Sequence, residues 1–138
     1  MVCNTVDEAE ELSLCFPKLE RLDLSKSQAL GGLYVRWFIA YCEHLEELDI
    51  SRCLDLTDKM LVDLLRVRFE IFRGSVRVLP SAQRIQRLNL SFCPQVTDRG
   101  IKALFQIKNV THLAIVGTKV TARGLQQLWR LFPDLHVT

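Results

Sequence analysis

The 138-residue sequence predicts an α/β solenoid, with a short parallel sheet on its concave face and helices on its convex face. Three observations predict it. A nine-residue unit, L-x-x-L-x-L-x-x-C, stands at Leu45–Cys53 and returns at Ile85–Cys93, with looser copies at Leu19–Ser27 and Val110–Thr118. The unit starts, Leu19, Leu45, Ile85, Val110 and Leu135, are 26, 40, 25 and 25 residues apart, the long step being one period plus an insertion. Behind each unit, apolar residues recur at i, i+3 and i+4, so every period holds one strand and one helix.

Self-similarity at a period of roughly 20–29 residues is the signature of a leucine-rich repeat solenoid. One strand and one helix cannot cover their own apolar face, so each unit must stack on its neighbours. The whole chain, 1–138, reads as a single domain of about four repeats starting at 19, 45, 85 and 110, interrupted by an insertion at about 66–84.

Taken in order, Asp7 to Cys15 is acidic and helix-prone and stops before Pro17. It reads as the helical half of a repeat. Leu19 to Ser25 is the first strand, in which Leu22 and Leu24 alternate with Arg21, Asp23 and Ser25 at the period of two that a half-buried strand requires. Gly31-Gly32 turns the chain into a helix carrying Val35, Phe38 and Ile39. The buried helical faces of the later repeats are Leu61/Leu64/Leu65, Ile101/Leu104/Phe105 and Leu125/Leu128/Trp129. Thr57-Asp58 and Thr97-Asp98 suit helix starts: the hydroxyl caps an orphan N–H and the acid lies near the positive end of the helix dipole. Thr121-Ala122 keeps the cap without the acid, and one residue before it has been dropped.

Residues 66–84 break the period. Val67, Phe69 and Ile71 alternate with Arg66, Arg68 and Glu70, Arg73-Gly74-Ser75 turns, and Val76-Arg77-Val78-Leu79 returns, which reads as a β-hairpin. Irregular, poorly folded sequence is the competing reading of this insertion. It holds five arginines and one glutamate against a net charge of +2 for the whole chain. At the far end, Leu135-His136-Val137-Thr138 begins another strand. Neither terminus carries a recognisable polar capping repeat, so the sequence is expected to be part of a longer array, a short isoform, or a chain that docks its ends on a partner.

Composition excludes several classes. Hydrophobic residues make up 49% and charged residues 25%, which is ordinary for a globular domain. No apolar run approaches the ~20 residues of a membrane span, and Met1–Asp7 lacks the basic start and apolar centre of a signal peptide. The expected location is cytoplasmic or nuclear, with the mitochondrion left open. Five cysteines without a C-x-x-C pair argue against a disulfide framework or a zinc ribbon. Cys53 and Cys93 share one repeat position, and Cys15 and Cys42 share another. Repeat-phased cysteines are expected to be small buried side chains between layers.

No phosphate loop, H-E-x-x-H or G-x-S-x-G motif is present, and His44, His112 and His136 occupy unlike repeat positions. No catalytic residue, metal ligand or cofactor is assigned, and the chain is not expected to be an enzyme. Stacked Asp23 and Asp49 are read as a solvated hydrogen-bonding row rather than a cation site. What remains is a surface. The concave columns run Arg21/Glu47/Arg87/His112, then Asp23/Asp49/Asn89/Ala114, then Ser25/Ser51/Ser91/Val116, with Lys26/Arg52/Phe92/Gly117 beside them. The partner-binding candidates are Arg21, Asp23, Glu47, Asp49, Arg52, Arg87, Asn89, Phe92 and His112. Phe92 stands out as an aromatic anchor between arginines. A protein partner on the concave face is expected. Nucleic acid bound through the arginines, Phe69 and Phe72 of the insertion is the weaker alternative.

The units ending in Cys53 and Cys93, each followed by [LV]-T-D, resemble the cysteine-containing class of leucine-rich repeats found in F-box proteins, the substrate receptors of SCF-type ubiquitin ligases. Ser27 and Thr118 replace the cysteine in the first and fourth units, and no F-box is recognisable in this sequence. The resemblance implies substrate recognition by the concave face, with a ligase adaptor as a partner only if an F-box lies outside this chain. Similar repeats occur in a mitochondrial ATP synthase coupling-factor family, which implies the alternative of a scaffold or assembly factor.

Overall fold

The computed structural model describes residues 14–27, 38–66, 69–78 and 84–138. The expected helix over Asp7–Cys15, apart from its last two residues, the Gly31-Gly32 turn with Val35, and Val67, Arg68 and Leu79 of the insertion lie outside them. Elements follow in the order β1 (Arg21–Asp23), β2 (Glu47–Asp49), α1 (Asp58–Leu64), β3 (Phe69–Phe72), β4 (Ser75–Val78), β5 (Arg87–Asn89), α2 (Asp98–Ile101), a 3-10 turn (Lys102–Gln106), β6 (His112–Ala114), α3 (Ala122–Leu131) and β7 (His136–Val137). Five strands form one parallel sheet in the order β1-β2-β5-β6-β7, so each repeat pairs with the next.

The repeat pattern explains the core directly. Leu45, Leu48, Ile50, Cys53 and Leu56 are buried, as are Ile85, Leu88, Leu90, Cys93 and Val96 at the matching positions. Leu19, Leu22 and Leu24 of the first unit pack partly buried against them. The strands are only three residues long, shorter than the expected Leu19–Ser25, because the chain turns immediately after Asp23, Asp49 and Asn89. Interstrand hydrogen bonding continues through those turns: Lys26 N donates to Ser51 O at 2.9 Å, Arg52 N to Ser91 O at 2.8 Å and Phe92 N to Val116 O at 2.6 Å. Parallel pairing thus satisfies backbone groups that a turn would otherwise leave to water.

The cysteine position has a specific use. Cys93 Sγ donates to Ile50 O at 3.2 Å and Cys53 Sγ to Leu24 O at 3.4 Å, each reaching the preceding repeat. A side chain that is small, apolar and a weak donor fits such a site. Cys42 is buried as expected, whereas Cys15, expected to be buried, is exposed.

Two helical faces differ from their spacing. Ile101 and Leu104 are buried but Phe105 is exposed, because residues 102–106 wind as a 3-10 turn at three residues per turn. That tighter winding puts Leu104 and Ile107 in the core and turns Phe105 outward. In α3, Leu128 is buried, Leu125 is half-buried and Trp129 is partly exposed, its indole Nε1 donating to Leu135 O at 3.0 Å. The rim hydrogen bond holds the ring at the surface.

The threonine caps form as expected, Thr57 Oγ1 accepting from Met60 N and Thr121 Oγ1 from Gly124 N. The aspartates do more than face a dipole. Asp58 accepts from both the backbone N and the hydroxyl of Thr97, one repeat later, and Asp98 does the same for Thr121. These carboxylates staple each helix start to the next. A Cβ at Gly100 would stand less than 3.0 Å from Asp58 Oδ1, and one at Gly124 equally close to Asp98 Oδ1, so glycine at both positions leaves room for the incoming acid.

The insertion folds as the expected hairpin. β3 pairs antiparallel with β4, Phe69 beside Val78 and Ile71 beside Val76. Arg73 (φ 51°) and Gly74 (φ 78°) both adopt the left-handed conformation of a two-residue type I′ turn. Ile71 and Val76 are exposed, and among the described elements β3 and β4 pack only on each other.

Candidate functional site

The outward residues of the five strands line one trough of about 500 Å³. Alternation along each strand sends Leu22, Leu48, Leu88 and Leu113 inward and leaves their neighbours to form two rows. Strand pairing places Arg21, Glu47, Arg87, His112 and His136 side by side in the first row. Glu47 lies between two guanidiniums: Arg21 Nε is 3.3 Å from Oε2 and Arg87 Nε 3.7 Å from Oε1. One carboxylate therefore meets two arginines, and both guanidiniums keep donors turned to solvent. Further along, the His112 and His136 rings meet edge-on with centroids 5.3 Å apart, and Thr111 Oγ1 lies 2.9 Å from His112 Nδ1.

The second row is Asp23, Asp49, Asn89 and Ala114, continued by Thr138 at the edge of the trough. Each acid or amide closes the turn behind it. Ser25 N donates to Asp23 Oδ1 at 2.8 Å, Ser51 N to Asp49 Oδ1 at 2.9 Å and Ser91 N to Asn89 Oδ1 at 3.0 Å. Hydrogen bonds from Ser25 hold the Asp23 carboxyl below its ordinary value of 3.8. Among the described residues no three His, Cys, Asp or Glu side chains are grouped to hold a metal ion.

The serine row does not face the trough. Ser51 and Ser91 are buried, because the chain turns inward after the strands, and only Val116 of that set is well exposed. Beside it, Lys26, Arg52, Phe92 and Gly117 all have positive φ, between 57° and 76°. This row is the left-handed corner of each repeat, a conformation that costs a side chain roughly 1–2 kcal/mol. Arg52 lies over the Phe92 ring at 4.9 Å, and a Cβ at Gly117 would come within 2.8 Å of Phe92 Cδ1. Phe92 is thus flanked by Arg52 and by Gly117, and its ring is about half exposed.

Of the nine candidates, seven line the trough: Arg21, Asp23, Glu47, Asp49, Arg87, Asn89 and His112. Arg52 and Phe92 do not; they form a separate stack on the corner row. His136 joins the trough without having been among the candidates. The 25-residue period places Val137 beside His112, but β7 pairs one residue earlier, with His136 beside His112 and Val137 beside Leu113. The cap threonines Thr97 and Thr121 are already only 24 residues apart, so the residue missing between Thr118 and Thr121 carries through α3 to β7. The pattern F-P-x-L, shared by Phe16–Leu19 and Phe132–Leu135, was the available signal for the turn, and the residue missing before Thr121 was the signal for the shift.

Comparison with known proteins bears on the fold. The family described as Leucine Rich repeat matches residues 41–59 and 83–105, the second and third units, so the chain carries leucine-rich repeats. No curated protein sequence matches the chain. Among solved structures, leiomodin-1 actin-binding site 2 is similar over 99% of this chain and 81% of that one, with a TM-score of 0.62 and 13% identity. At that identity the likeness shows the fold alone. The fold is an α/β leucine-rich repeat architecture with a parallel sheet and helices.

Proposed function

We propose that this protein is a non-enzymatic protein-interaction module that grips its partner with the outward face of its parallel sheet. The observation that carries this is the trough: some ten side chains from five consecutive strands converge on one surface. Their inward neighbours, not they, supply the core. Such residues are positioned by the fold yet are not spent on it, which suits a recognition surface. The structural neighbour, leiomodin-1 actin-binding site 2, supports an interaction role for this architecture, without carrying actin to this chain.

The finer reading is substrate recognition within an SCF-type ubiquitin ligase receptor. The cysteine position supports it, because Cys53 and Cys93, the residues that carry the resemblance, are both buried and both donate to the preceding repeat. The test is affinity capture with mass spectrometry, comparing wild type with Ala114→Arg, which fills the trough, after a melting curve shows both folded. Proteins captured by wild type and lost from the variant are the expected result, with ligase adaptor subunits retained in both only when the bait includes an F-box outside this chain. Identical partners from both proteins would move the interaction off this face.

A further inference from the structure

The trough is electrically polar along its length. Its β1–β2 end holds Asp23, Glu47 and Asp49 against the single guanidinium of Arg21, and exposed Glu20 and Glu46 extend the acidity along one flank. Its β5–β7 end holds Arg87, His112 and His136 with the uncharged side chains of Asn89, Ala114 and Thr138, and no acidic side chain. On the other flank Lys26 and Arg52 are basic, but they stand outside the trough, and Arg52 lies over Phe92. The second row changes character between β2 and β5, where Asp, Asp gives way to Asn, Ala, Thr, while in the first row Glu47 stands between Arg21 and Arg87 and two histidines follow.

We propose, on the reading that this face binds protein, that the trough docks a bipolar segment of its partner. Basic side chains of that segment lie over β1–β2 and acidic ones over β5–β7. Strands are ~4.8 Å apart, so the centres of the two ends, near β2 and β6, are separated by about 10 Å. That distance is about two turns of helix or three extended residues, so a single short segment spans both. The polarity also sets direction: a segment docked the other way round brings carboxylates onto Asp23 and Asp49 and cations onto Arg87.

The substitutions that test this are supplied by the protein itself. Asn89 makes the same turn hydrogen bond as Asp23 and Asp49, so Asp23→Asn with Asp49→Asn removes two charges while keeping both serine N–H bonds. Arg87→Gln removes the cation at the other end. A random-peptide display library is panned on the full chain, and the enriched peptides are resynthesised and titrated by fluorescence anisotropy. The expected peptides carry a basic and an acidic cluster. Each variant weakens them about ten-fold, and each selects a library depleted in only the matching charge. Uncharged peptides that bind both variants as tightly as wild type, yet are blocked by Ala114→Arg, would overturn the bipolar inference and leave the face as the binding site. No enrichment, or peptides indifferent to Ala114→Arg, would overturn both.

Discussion

Gly100→Ala is the most informative single change. At an ordinary helical position it gains about 1 kcal/mol, since alanine loses less backbone freedom on folding. Here the new methyl would stand less than 3.0 Å from Asp58 Oδ1 and 3.3 Å from Asp58 Cα. Forcing it in displaces the carboxylate that receives the N–H and hydroxyl of Thr97. Overpacking of this kind costs about 1–3 kcal/mol, enough to reverse the propensity gain. Asp58→Ala alone strands the half-buried Thr97 donors and removes two bonds to a charged acceptor, a loss of about 2–4 kcal/mol. In that background, however, the carboxylate is gone and only the 3.3 Å approach to the Cα of residue 58 remains, so Gly100→Ala becomes close to neutral. The cycle of wild type, both singles and the double, read by urea denaturation, should show a coupling of about 1–3 kcal/mol. A Gly100→Ala protein as stable as wild type or more so, with additive effects in the double, refutes the staple between repeats.

Leu90→Ala empties a fully buried site and should cost about 2–5 kcal/mol by chemical denaturation, whereas the exposed Leu54→Ala should stay within about 0.5 kcal/mol. Gly117→Ala meets the Phe92 ring and holds a side chain at φ 76°, so it should destabilise by about 1–3 kcal/mol, with part of the loss recovered in a Phe92→Ala background; a neutral melt would remove the corner stack. Burial pushes the Cys42 thiol up to about 12 from an ordinary value of 9.0. The folded chain therefore holds a proton that the unfolded chain releases, and stability should fall as pH rises from 9 toward 12. Cys42→Ala should flatten that slope, and an unchanged slope would mean other groups set it. Native alkylation should reach exposed Cys15 well before Cys42, Cys53 and Cys93, as peptide mass spectrometry would show.

Much of the molecule was legible in the amino-acid order. The positions of Leu45, Leu48, Ile50, Cys53 and Leu56 declare which residues are inward, because strand alternation and repeat phase are local properties of the chain. The same logic placed Arg21, Glu47, Arg87 and His112 in one row, and Arg73-Gly74 marked the hairpin turn. Exposed Phe105 and Trp129 departed from their helical spacing because winding and a rim hydrogen bond, not periodicity, set their direction.

What only the tertiary structure decided lies between repeats. Asp58 meets Thr97 across 39 residues of sequence, and Cys93 meets Ile50 across 43. Arg52 over Phe92, and Glu47 shared by two arginines, likewise depend on the stacking of neighbouring units. A sequence period states which way each side chain points within its own repeat. It does not state the lateral offset at which one repeat settles on the next, because that offset is chosen by packing and hydrogen bonding between residues far apart in the chain.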